Sequence, residues 1–336
     1  MTSSDSTNQE ETPQPEKHSK QITNDDLYRR STQFRFWSFT EQRLKDLKRS
    51  TNEKGAANLK ERISQLDPSI PEVSEIWEKD LVKPLTVEEE VKIVEYYARK
   101  AQGLANYFKL PTQSRATAIS FFRKFFLVNS CIQFHPQYIM YTCLFLAAKS
   151  DNHFIGIKEF SKAIPKTTPE SILQYEFQIL QSLKFALLCH HPYKPLYGFF
   201  LDFQVEMKNN IQSDKLAELY DHARDKVSEA LFSDVSFLFT PSQIALAAYY
   251  ELNPELVTSY LSKKFSQLST INEDEQLKPS PNIQTKLVDN LKHCIELSHA
   301  SFDPEIEEVT QISRKVHYCI DPMKLVKKMQ KQKAVS

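Results

Sequence analysis

Glycine is nearly missing from this chain: four in 336 residues, at positions 55, 103, 156 and 198. Tight hairpin turns and phosphate-cradling loops both lean on glycine. Its scarcity argues against a β-rich fold and against a nucleotide-binding loop. No run of about 18 or more apolar residues occurs, so no membrane span is expected. The stretch Met1 to Lys20 has no apolar core, so it does not read as a signal peptide. A charge surplus is also missing, with Lys+Arg and Asp+Glu at 43 each. A domain that grips nucleic acid through its phosphates carries a basic excess, so no direct nucleic-acid partner is expected.

Cys-x-x-Cys pairs are absent as well. The five cysteines, at 131, 143, 189, 294 and 319, are odd in number and suit free thiols in a reduced intracellular compartment. Cys189-His190-His191 suggests a metal but lacks a second ligand pair at zinc-like spacing. His317 and Cys319 lie two apart on a helix and face different ways. No Gly-x-Ser-x-Gly, His-Glu-x-x-His or kinase loop is present, so an enzyme has no residues to stand on. Neither a metal nor a cofactor is expected.

What is present is a long series of helices. At 40% hydrophobic, 336 residues suffice for two domains or one large repeat pair. Residues 1–30 are polar and expected to be disordered. Phe34, Phe36, Trp37 and Phe39 then arrive together and need a surface to bury against. Of these, Phe34, Trp37 and Phe39 are the expected anchor of an N-terminal helix. Thr40 is a candidate N-cap for a polar helix running to about Ser64. Residues 66–85, with Pro68, Pro71 and Pro84, read as a connector. Thr86 and Glu89 form a capping box for a helix carrying Val91, Val94, Tyr97, Ala98, Ala101 and Leu104. Pro111 opens a second helix through Ile119, Phe122, Phe126 and Leu127. Pro136 opens a third, to about Lys149, that is apolar nearly all round and so should be the buried hub of a bundle. A short helix at 157–163 follows, and a fifth begins near Thr168 with Ile172, Ile179, Leu180 and Leu183.

A second set comes next, with helices expected at 193–206, 215–232, 241–251, 254–265 and 283–299. The two sets repeat each other. Phe126 stands ten residues before Pro136 in the first, as Leu231 does before Pro241 in the second. Each Pro is followed by an Ile, two apolar residues and two small ones, Thr142-Cys143 and Ala247-Ala248. A last amphipathic helix from Pro304 to about Met329 ends in a basic tail. That tail reads as a solvated helix end, with a nuclear-import or nucleic-acid patch as the alternative.

Several runs resemble cyclins of the H type. They are Ser31 through Phe39; Asn129-Ser130 with Phe134-His135-Pro136 and Ile139-Met140; Ile172 through Glu176; His191-Pro192-Tyr193-Lys194-Pro195; and Leu238 through Leu246. The resemblance covers residues 31 to about 250 and implies an all-α cyclin fold. Two tandem five-helix boxes, at 86–190 and 191–300, would be flanked by an N-terminal helix and connector at 31–85 and a C-terminal helix and tail at 301–336. It further implies a non-catalytic nuclear regulator of the CDK-activating kinase. Its partners would be that cyclin-dependent kinase, a RING-containing assembly factor and the core of general transcription factor IIH. The targets would be activation loops of other cyclin-dependent kinases and the C-terminal repeats of RNA polymerase II. Other readings are another transcription-type cyclin with a different kinase, a cyclin-fold DNA-binding transcription factor, and a helical scaffold.

A candidate site follows. Glu176 lies in line with Ile172, Leu180, Leu183 and Leu187, and a carboxylate in an apolar stripe is costly unless paired. Lys149 ends the third helix. From the residues alone, Lys149 complements a helix dipole and Glu176 makes an internal salt bridge. The resemblance implies instead a polar clamp on the kinase, with Leu146, Leu180, Phe185 and Leu187 around it. Two departures stand out. The Met-Arg-Ala-Ile-Leu motif of cell-cycle cyclins is missing, and Arg123 stands where its partner aspartate would be. Ser150-Asp151-Asn152 follows the lysine, which leaves the acidic part of the clamp thin.

Overall fold

The computed structural model describes residues 28–79, 81–271, 282–300 and 305–333. Of the tail expected to be disordered over residues 1–30, residues 1–27 lie outside these, as do Pro304 and the last three residues, while residues 28–30 are helical, with Tyr28 half-buried against Phe34. Among the described residues all regular structure is α-helical, in seventeen helices, none long and apolar enough to cross a membrane.

The chain opens with α1 (Thr32–Trp37), capped by Ser31, and α2 (Glu41–Ser64), capped by Thr40. The connector expected at 66–85 contains a helix, α3 (Pro71–Glu78). Pro71 supplies its first turn, where the missing N–H costs nothing, and Val73 and Ile76 give it a buried face.

The first bundle holds α4 (Val87–Tyr107), α5 (Thr112–Val128), α6 (Pro136–Ser150), α7 (Ile157–Lys162), α8 (Pro169–Leu173) and α9 (Glu176–Ser182). α6 is buried from Ile139 to Ala148 and packs against α4, α5, α8 and α9. It is the hub its composition required. Thr142 Oγ1 lets α8 approach closely by donating to the Ile172 carbonyl at 2.7 Å. The single fifth helix expected from Thr168 is two, because the chain turns at Gln174-Tyr175, where the Tyr175 ring meets Phe134 edge-on at 6.4 Å.

The second bundle repeats the plan with α10 (Tyr193–Glu206), α11 (Ser213–Ala230), α12 (Val235–Leu238), α13 (Pro241–Leu252), α14 (Pro254–Ile271) and α15 (Ile283–His299). α13 is its hub, packing on α10, α11, α14 and α15 through buried Ala245, Ala247 and Ala248. Both hubs begin with proline behind a side-chain cap. His135 Nδ1 accepts from Gln137 N at 3.3 Å, and Thr240 forms a capping box with Gln243. The short α12 was not expected.

The single terminal helix expected to about Met329 is also two, α16 (Ile306–Ile320) and α17 (Met323–Lys333). Pro322 ends the first by steric exclusion: Asp321 before it sits at φ −138°, ψ 87°, outside the helical region. α16 folds back on α4 of the first bundle and α17 on the connector helix α3. Lys92 pairs with Glu308 at 2.6 Å, Lys315 with Glu89 at 2.5 Å and Lys333 with Glu72 at 3.1 Å. Trp37, Leu44 and Leu59 from the N-terminal side, and Ile312, Val316 and Val326 from the C-terminal side, join one apolar core with the first bundle. The second bundle has its own core.

The lack of glycine shows at the helix ends. α4, α6 and α9 each finish in a Schellman turn, whose residue after the cap must be left-handed and is usually glycine. Here Lys109 (φ 53°), Asn152 (φ 61°) and Lys184 (φ 55°) take that place. The paired bonds are present in each, as in Lys184 N to Gln181 O and Phe185 N to Leu180 O, both 2.9 Å.

Candidate partner-docking surface

Lys149, in the last turn of α6, and Glu176, first residue of α9, come together: the ammonium donates to Glu176 Oε1. Both side chains keep partial access to solvent, 36% and 21%. The ammonium also lies 5.1 Å from the centre of the Phe145 ring. A pair this accessible is worth little to stability, while its charges remain available to a partner.

Apolar residues surround the pair. Leu180 and Leu187 are half-buried, and Phe185 is 61% exposed. Phe185 also has φ 55°, a left-handed angle costly for a residue with a side chain. Leu146 is only 4% exposed, so it supports this surface from beneath and does not line it. The apolar stripe expected from Ile172 to Leu187 is interrupted, since α9 ends at Ser182 and the next turn reverses the chain. Two exposed residues were missed. Phe177 is 63% exposed and its ring meets Phe185 edge-on at 6.2 Å; Leu188 is 67% exposed. The available signal for Phe177 was an aromatic directly after Glu176 and off the buried stripe.

The N-terminal aromatics lie alongside. Trp37 is buried, and Phe34 and Phe39 are half-buried. Lys184, from the turn that carries Phe185, places its ammonium 4.5 Å from the Phe36 ring centre, and Lys124 lies 5.7 Å from that of Trp37. The Gln33 side chain accepts from His190 N at 2.7 Å and donates to His190 O at 3.0 Å. Phe39 N donates to Phe237 O at 2.8 Å. The segment 28–39 thus touches the first bundle, the link between bundles and the second bundle.

Arg123 makes a junction that the sequence did not reveal. Its guanidinium donates to the carbonyls of Leu231 (2.9 Å) and Ser233, and to Asp234 Oδ1 at 2.8 Å. Lys48 reaches the other Asp234 oxygen at 2.5 Å. Burial pushes the Asp234 carboxyl up, but Arg123 and Lys48 together outweigh it and hold the group below the usual carboxylate range. An arginine–aspartate pair therefore does join the two bundles here, though without the cell-cycle motif.

Cys189-His190-His191 is taken up by packing. His191 Nε2 lies 2.9 Å from Thr117 Oγ1, and burial, with Lys124 nearby, brings the imidazole down to about 3. Among the described residues no cluster of three or more His, Cys, Asp or Glu could hold a metal.

Residues 102–188 match the cyclin N-terminal domain and residues 191–299 the cyclin C-terminal domain. Cyclin CCL1 of Saccharomyces cerevisiae is 36% identical, over 93% of this chain and 86% of that protein. Cyclin mcs2 of Schizosaccharomyces pombe is also 36% identical, over 89% of this chain and 87% of its own length. Among solved structures, one chain of the yeast TFIIK complex (Kin28/Ccl1/Tfb3) is 36% identical with a TM-score of 0.63, and the match covers 81% of this chain and all of that one. The likeness to these proteins runs through both bundles and the helices that flank them. The chain belongs to the cyclin family, as a non-catalytic regulatory protein homologous to Ccl1 and mcs2.

Proposed function

We propose that this chain binds and activates the cyclin-dependent kinase of a CDK-activating complex of the TFIIH type. The observation that carries the reading is the match, over the whole length of the relative's chain, to a cyclin solved within yeast TFIIK beside Kin28 and Tfb3. By the same likeness a RING-containing assembly factor is the third subunit, the TFIIH core is the larger partner, and the nucleus is the place of action.

The docking surface is the one around Lys149 and Glu176. Phe177, Phe185 and Leu188 supply exposed apolar area, and the charged pair supplies fixed polar contacts, the mix expected of an interface core. The kinase element that meets it is the αC helix, whose glutamate must pair with the strand lysine that holds the nucleotide phosphates. Activation requires only that this surface bind the αC-in state better than the αC-out state, since differential affinity is what shifts the equilibrium. Phe185 and Lys184 are held by backbone hydrogen bonds of the Schellman turn, so little ordering is needed on binding.

The test is kinase activation. The chain is purified with its candidate kinase, and phosphorylation of a polymerase C-terminal repeat peptide is measured for wild type, Lys149→Ala, Glu176→Ala and the double variant. The double variant is expected to lower affinity by about tenfold or more while its melting temperature stays close to wild type, because the pair is partly exposed. A folded double variant that activates like wild type would remove the site. Failure of wild type to bind or activate any such kinase would remove the function.

A further inference from the structure

A cleft of about 940 Å³ opens between the two bundles, away from the docking surface. It is near the upper end of ligand-binding clefts. Its walls come from α4 and α5 on one side and from α11, α13 and α15 on the other. Three arginines and a lysine line it, and they differ in how far their charge is already answered. Arg99 is held by Glu229 at 2.9 Å and Glu95 at 3.5 Å. Lys226 is paired with Glu251, which also meets His299 at 3.0 Å. Arg115 differs: its two hydrogen bonds go to the neutral oxygens of Asn106 (2.5 Å) and Thr112 (2.7 Å). Its Nε is buried without a hydrogen-bond partner among the described residues. Arg224 has one loose contact, to Asp221 at 3.4 Å, with both side chains about half exposed.

Arg115 and Arg224 come from different bundles yet converge. Both line the same cleft, whose wall also carries Ser228, with the Tyr193 hydroxyl 3.0 Å from Ser228 Oγ. Two guanidiniums without firm carboxylate partners, beside the Thr112 hydroxyl, form a recognition set for a compact dianion. Guanidinium forks match phosphate oxygens in geometry as well as charge. We propose that this cleft binds the phosphate of a phosphorylated serine or threonine in a peptide segment.

A peptide fits better than a nucleic acid. Asp225, Glu229 and Glu251 line the same cleft. A continuous phosphate backbone would be driven against these carboxylates, whereas a peptide brings one dianion flanked by amides and, where basic, by cations that the acids welcome. The whole chain is charge-neutral, which likewise disfavours a backbone-gripping surface. The proposal is independent of the kinase reading, because the cleft belongs to this chain alone.

The experiment uses the full-length chain without a kinase. Fluorescence anisotropy follows a short labelled peptide with a central phosphoserine, its unphosphorylated twin and a single-stranded oligonucleotide, with inorganic phosphate as competitor. The phosphopeptide is expected to bind about tenfold or more tightly than its twin, and inorganic phosphate to displace it only at high concentration. Arg115→Gln/Arg224→Gln should lose about tenfold or more of that affinity with an unchanged melting curve. Glu229→Gln, which removes a competing carboxylate, should tighten binding. Equal binding of the two peptides, tighter binding of the oligonucleotide, inorganic phosphate binding as well as the phosphopeptide, or unchanged affinity in the double arginine variant would each overturn the proposal.

Discussion

Three of the four glycines lie inside helices, and two of them, Gly55 and Gly103, sit in opposite surroundings, so replacing each with alanine separates packing from propensity. Gly55 is buried where α2 crosses the segment before α6. A methyl group there would stand 2.5 Å from Ser130 Cβ and closer still to its Oγ. Ser130 has no room to yield, because its hydroxyl donates to the buried carboxylate of Glu90 and accepts from Ile132 N at 3.0 Å. Gly103, in α4, is exposed and has nothing within 4 Å of the same position. Helix propensity alone favours alanine at both sites by about 1 kcal/mol. Overpacking at Gly55 costs about 1–3 kcal/mol, so after the propensity gain Gly55→Ala should destabilise by up to about 2 kcal/mol. Gly103→Ala should stabilise by about 0.5–1 kcal/mol. Thermal melting and urea titration read both, with shifts of about 2–4 °C per kcal/mol expected at this size or somewhat less. A double variant with Ser130→Gly restores space, and in that background the cost of Gly55→Ala should shrink. If Gly55→Ala proved as stabilising as Gly103→Ala, the close approach of α2 to Ser130 would be refuted.

Further outcomes follow from the same reasoning. Lys109→Gly should stabilise by about 0.5–1 kcal/mol in urea titration, since relief of left-handed strain exceeds the added freedom of the unfolded chain; a loss of stability would contradict the Schellman turn. Arg123→Met should cost about 3 kcal/mol by the same assay, because it leaves Asp234 Oδ1 and two carbonyls without their donor, with Lys48 alone on the other carboxylate oxygen, and a cost near zero would show that the junction is not formed. Burial, with His317 and Lys324 nearby, depresses His135 to about 4. Its stabilising contribution is therefore present above the ordinary imidazole value of about 6.5 and lost as pH falls toward 4, up to about 3 kcal/mol. His135→Asn, which keeps a capping side chain, should flatten that acid limb in melting curves taken across this window. Glu90 has the opposite sign. Burial raises its carboxyl against the hydrogen bonds of Ser130 and Cys131, so its contribution is present below the ordinary carboxylate value and lost as pH rises. The stability of Glu90→Gln relative to wild type should therefore improve from acid to neutral pH.

The helical plan was legible wherever cap and period agreed. Thr86 with Glu89, Pro136 behind His135 and Pro241 behind Thr240 each fix a helix start locally, and the structure places those starts there. Errors arose where proline carried two meanings. Pro71 was read as a connector residue and opens α3; Pro322 was passed over and divides the last helix. Of the site residues, Lys149 and Glu176 do come together. Exposure was harder to read. Leu146 and Phe185 are both apolar and near the pair, yet one is buried and the other stands in solvent. That difference depends on a chain reversal after Ser182 that uses lysine where a reader looks for glycine. Arg123 and Asp234 lie 111 residues apart, and helical periodicity carries no signal for a contact of that separation.

The segment from Tyr28 to Phe39 has a mechanical consequence. It is fastened through Trp37 to the first core, through Gln33 to the link at His190 and through Phe39 to the second bundle at Phe237. A member tied at three points to two bodies is a brace: it resists twist about the line joining them in a way that a single joint, such as Arg123 with Asp234, does not. The inclination of the two halves is therefore held by this strip together with the Arg123–Asp234 joint and with Leu231, Phe232 and Phe237, which enter the first core, so a partner that grips one half meets a braced other half.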